Sequence, residues 1–124
     1  MSFIVDIKTH LESNTGLLAY PFHIPKNEPL PAIQYDEVSN IRDSDSNLSE
    51  SNIRHIRMQF TIVSTTTKTT LDLKDQIENL YENYSGLIGT SKVLISRLQT
   101  SVALYNSQLL TYEYAIDVVF KVLL

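Results

Sequence analysis

The clearest pattern lies in residues 110–124, where every even position is apolar or aromatic: Leu110, Tyr112, Tyr114, Ile116, Val118, Phe120, Val122 and Leu124. The odd positions carry Thr111, Glu113, Asp117 and Lys121 among smaller apolar residues. A strand turns successive side chains to opposite faces, so a period of two predicts a long strand with one apolar and one mixed face. Its regularity predicts a central position, helices on the apolar side, and a fold that fails when these residues are removed. Residues 54–64 alternate in the same way, with Ile56, Met58, Phe60 and Ile62 against His55, Arg57, Gln59 and Thr61.

Two stretches have helical period instead. Ile4, Ile7 and Leu11 recur between a capping Ser2 and about Ser13, and Asn14-Thr15-Gly16 supplies the stop. Leu73, Ile77, Leu80 and Tyr84 stand at i, i+4, i+7 and i+11 behind a threonine run. Within that run Thr69 and Asp72 fit a loose capping box, and Ser85-Gly86 closes the helix.

The prolines organise what lies between. Pro21, Pro25 and Pro29 make residues 17–30 a crossing loop, fastened to the core by Leu17, Leu18, Tyr20 and Phe22. Residues 31–38 read as a strand near a sheet edge, with Ile33 and Tyr35 on one face. Residues 39–52 are poor in apolar side chains and read as a long mobile loop. Residues 92–100 read as a strand and 101–108 as the turn into the last one. The expectation is one α+β domain over residues 1–124. It has a sheet of about four mainly antiparallel strands in the order 1-2-4-3, with both helices on one face.

Composition narrows the function classes. At 124 residues, 43% hydrophobic and 19% charged, the chain suits one globular core. A net charge of -4, with ten scattered Lys and Arg, argues against a general grip on nucleic acid, which needs clustered cations. The absence of cysteine excludes disulfides, thiolate zinc sites and cysteine nucleophiles. No apolar run approaches a membrane span of about 18–20 residues, and the N-terminus lacks a signal-peptide layout, so synthesis in the cytoplasm is expected.

Candidate chemistry is sparse. Gly86-Leu-Ile-Gly89 lacks the lysine of a phosphate-binding loop. His10, His23 and His55 fall on separate elements without metal-ligand spacing, so each reads as structural or solvent-facing. Asp43-Ser-Asp45-Ser-Asn47 opens like a calcium loop, but Leu48 and Arg54 stand where glycine and a bidentate glutamate are needed. No enzyme activity, cofactor or metal is therefore expected. Two candidate interaction sites remain. One is the long loop, through Asp43, Asp45, Asn47 and Glu50. The other is a polar sheet face carrying Arg57, Glu113, Asp117 and Lys121. For any single residue on that face solvation is explanation enough; together they could form a subunit contact or line a channel.

The element order and two strand motifs also carry a resemblance. The strand Leu30-Pro-Ala-Ile-Gln-Tyr35, an arginine-bearing alternating strand, a helix, and the closing Tyr112-Glu-Tyr-Ala-Ile-Asp-Val-Val-Phe120 resemble the tail-terminator or tail-completion proteins of long-tailed bacteriophages. The likeness spans nearly the whole chain. Tryptophan, common at the end of the family's last strand, is absent here. The resemblance implies a structural virion protein, made in the host cytoplasm and placed at the head-proximal end of the tail. There it would form a ring, usually a hexamer, that ends growth of the tube. Its implied partners are further copies of itself, the major tail tube protein and a head-completion or neck protein. DNA would pass through without being held. The alternative is a small ferredoxin-like ligand-binding or regulatory domain of a bacterium, distinguished by a small-molecule thermal shift and no ring.

Overall fold

Six strands form one curled, mixed sheet that opens like half a barrel, with two helices on one face, in a computed structural model describing residues 3–42 and 53–123. The chain runs α1 (Phe3–Thr15), β1 (Ala19–Pro21), β2 (Ala32–Arg42), β3 (Ile53–Ser64), α2 (Thr67–Tyr81), β4 (Gly86–Ile88), β5 (Ser91–Asn106) and β6 (Thr111–Leu123). The order across the sheet is β1-β2-β3-β6-β5-β4. This corrects the expectation of about four mainly antiparallel strands. The four long strands do neighbour one another as 1-2-4-3, but β1 pairs parallel to β2 and β4 closes the opposite margin. Both added strands are three residues long, too short to show a period, and each exists because a longer partner offers a free edge.

The core follows the alternation. Ile116, Val118, Phe120 and Val122 of β6 face Ile56, Met58, Phe60 and Ile62 of β3 on one side of the sheet, and all are buried. Helix α1 lays Phe3, Ile7 and Leu11 on this surface, and α2 adds Leu73, Ile77 and Tyr81. Phe60 stacks on Tyr81 at 5.4 Å between ring centres, and Phe120 meets Tyr81 edge-on at 5.2 Å. Offset and edge-to-face pairs of this kind add to the burial of each ring.

Local chemistry sets the ends. Gly16 takes a left-handed φ of 74° after α1, and its amide bonds the Glu12 carbonyl. Helix α2 is capped by Thr66, whose hydroxyl accepts from the Thr69 amide, and not by the Thr69–Asp72 pair. It ends at Tyr81 with Glu82 as its C-cap, so Tyr84 packs on the core from beyond the helix and Ser85-Gly86 is not its stop. Asp6 of α1 accepts from the Ser91 hydroxyl at 2.9 Å and from the Thr90 amide and hydroxyl. A Cβ on Gly89 would lie 2.4 Å from the Asp6 carboxyl carbon, and Gly89 has a φ of 61°. Glycine is required there on both counts.

Three other boundaries move. Strand β2 runs on to Arg42, through residues read as loop, with a bulge between Glu37 and Ser39. Strand β5 continues six residues past Thr100 to Asn106, through residues read as a turn. Leu110 ends the hairpin turn at a positive φ of 56° and is exposed, so it does not join the core alternation.

Candidate functional site

The face of the sheet opposite the helices holds the polar residues of β3 and β6, and its centre is a charge cluster. Asp117 is nearly buried, and its Oδ2 accepts from Arg57 Nη2 at 2.5 Å and from Thr100 Oγ1 at 3.0 Å. Strand geometry explains the meeting. Asp117 lies opposite Gln59 on β3 and Thr100 on β5, and Arg57 reaches across diagonally from two residues along β3. Among the described residues neither Asp117 Oδ1 nor Arg57 Nε has a hydrogen-bond partner. A buried carboxylate oxygen without a donor is costly, so this is a polar group the fold retains rather than one it needs for packing.

Glu113 and Lys121 share the face but not the cluster. Each is four residues along β6 from Asp117, about 13 Å at strand rise. Glu113 lies opposite Val63 and Leu104, and Lys121 opposite His55 and Ile95. The structure thus joins Arg57 to Asp117 and leaves the other two as separate half-buried charges. Asp43, Asp45, Asn47 and Glu50 lie outside the described residues.

On the helix side His10 and two tyrosines form a half-buried group. The His10 Nδ1 lies 3.0 Å from the Tyr81 hydroxyl, and its ring meets Tyr84 edge-on at 5.3 Å. Burial pushes the His10 imidazole below its usual pKa and the Tyr81 phenol well above its own. A neutral histidine bonded to the hydroxyl of a core tyrosine is a packing arrangement. Among the described residues no group of three His, Asp or Glu could hold a metal ion. No helix of the described chain is long and apolar enough to cross a membrane.

The surface that the alternation did not single out is the far end of the β5–β6 hairpin. Val102, Leu104, Tyr105, Leu109 and Leu110 are all more than half exposed there. A cleft of about 530 Å³ adjoins it, between the proline-rich loop and the hairpin turn, lined by His23, Lys26, Gln34, Leu109, Thr111 and Glu113. One signal was available in the sequence: no charged residue stands between Arg97 and Glu113, in a stretch otherwise open to water. Tyr112 and Tyr114, on the apolar face of the alternation, are both half-buried: Tyr114 packs against the core with Lys74 over its ring, whereas Tyr112 packs on Tyr105 at the hairpin end.

No protein-family model matches the chain, and no curated protein sequence does. Among solved structures, a chain from the virion of a native gene transfer agent (GTA) particle has a similar fold. It superposes with a TM-score of 0.67 at 8% identity, over 90% of this chain and 83% of that one. At that identity the likeness is one of fold.

Proposed function

We propose that this protein is a structural component of a phage-like virion, and within it the ring that caps the head-proximal end of the tail tube. The observation that carries the reading is the near end-to-end likeness of fold to a GTA virion chain. The strand motifs that resemble tail terminators support the same reading. The electrostatics agree with the role. A ring through which DNA passes should not bind it, and the chain is acidic with few cations. On this reading the protein is not an enzyme. Its partners are further copies of itself, the tube protein beneath and a neck protein above. The helix-free face, with Arg57, Glu113, Asp117 and Lys121, is a surface of contact or a lining and not a reaction centre.

The test is to mix the purified chain with its tail tube protein and follow mass and shape. Rings at one end of each tube, a multimer by native mass measurement and tubes of arrested length are expected. A chain that stays monomeric and leaves tube growth unchanged contradicts the proposal.

A further inference from the structure

We infer that the outer edge of β5, residues 97–106, pairs with the outer edge of β2, residues 37–42, of a second copy, so that the sheets of successive copies run on as one. Both edges are open among the described residues. Strand β1 covers β2 only at Ile33, Gln34 and Tyr35. At the other margin β4 covers β5 at Ser91, Lys92 and Val93, and the Asn83–Tyr84 backbone reaches as far as Ser96. Beyond those points no described residue pairs with the backbone of either outer edge. Folded proteins guard such edges with lysine, proline or shortness. The β5 edge has none of these past Arg97 and exposes Val102, Leu104 and Tyr105, while the β2 edge exposes Val38 and Ile41.

The two edges fit each other in direction and face, and their offset in height fits a tilted sheet closing on itself, which is the argument for a second copy as the occupant. Strand β2 is antiparallel to β3, β3 to β6 and β6 to β5, so β2 and β5 run oppositely. A copy set alongside therefore meets its neighbour antiparallel, like every long pair in the sheet. Val102 and Leu104 lie opposite Ala115 and Glu113, and Ser39 and Ile41 lie opposite Arg57 and His55, all on the helix-free face. Joined sheets thus keep their helices on one side.

The open runs sit at opposite heights. Traced through the strand pairing, the middle of the β5 run is level with Gln34–Tyr35, about four residues below the middle of the β2 run. That is a stagger of about 13 Å across four strands spanning about 19 Å. The corresponding tilt is about 35°, at the lower end of the range in which sheets of tilted strands close on themselves. Unlike edges meeting head to tail build a ring or a helix and not a two-fold dimer. The inference rests on the self-association proposed above and names its seam.

The native chain has no cysteine, which makes the test clean. Val102→Cys or Leu104→Cys is combined with Ser39→Cys or Ile41→Cys in one full-length chain, and the four double variants are oxidised under conditions where native mass is also recorded. A ladder of covalent multimers from at least one double variant, with every single variant remaining monomeric on a non-reducing gel, is expected. Disulfide dimers from Val102→Cys or Leu104→Cys alone overturn the seam in favour of hairpin-to-hairpin pairing. No ladder from a preparation that is multimeric by mass overturns the seam and leaves the ring standing. No ladder from a monomeric preparation overturns both. Paired Val102→Lys and Leu104→Lys changes, with the far-ultraviolet spectrum unaltered, should abolish the multimer.

Discussion

The two ends of the β5–β6 hairpin are made of similar residues and meet different fates. At one end Val93 and Ser96 of β5 lie opposite Val122 and Phe120 of β6 beneath the helices, all buried. At the other, Val102, Leu104 and Tyr105 lie opposite Ala115, Glu113 and Tyr112 and are open to solvent. Apolar content does not separate them. What separates them is cover: Val93 and Ser96 point under β4 and the helices, whereas Val102 and Leu104 stand on the helix-free face, and no described element covers them or the outer edge beside them. Apolar surface left uncovered on an otherwise well-packed chain marks a place for another molecule.

Substitutions can break this contrast from either side. The largest effect belongs to the covered end, where Phe120→Ala should lower unfolding free energy by about 3–5 kcal/mol in denaturant titration, because a filled aromatic site becomes a cavity. Gly89→Ala comes next, at about 1–3 kcal/mol, since a methyl group must enter the Asp6 carboxyl at a left-handed backbone position. Its loss should appear as a lower Tm with the sheet spectrum retained.

A smaller effect is pH-dependent. Burial holds the His10 imidazole below its usual value, so the folded chain takes up this proton less readily than the unfolded one. The stability linked to His10 is therefore complete above about pH 6.5 and declines as pH falls below it towards the folded-state value. A Tm–pH curve for His10→Gln should be flatter through that window than the parent's. The smallest effect on stability belongs to the open end, where Val102→Ser should change unfolding free energy by no more than about 0.5 kcal/mol. A large loss there would mean that the hairpin tip belongs to the core after all.

The same contrast explains what could be read from the chain. Ile116, Val118, Phe120 and Val122 announce their strand because each obeys one local rule, the period of two. Residues 101–106 do not, since serine and asparagine favour turns and their strand state depends on pairing with residues 111–116. The two three-residue strands leave no periodic trace and arise from free edges created elsewhere in the fold. Asp117 was legible as a polar-face residue. Its burial was not, because that depends on Arg57 and Thr100 arriving from two different neighbours. The exposure of Leu104 and Tyr105 is likewise a fact of cover: the uncharged run from Leu98 to Tyr112 marks the stretch, but what covers it is set by the fold.

The central claim is that the covered end folds the chain and the open end joins it to its own copies. Sedimentation mass and Tm, measured together on the native chain and on Leu104→Lys, test it most directly. The account predicts a multimer for the native chain and a folded monomer for the variant, which keeps the far-ultraviolet spectrum and a cooperative unfolding transition and loses in Tm only what association contributed. A variant that still assembles, or one that fails to assemble because it no longer folds, contradicts it.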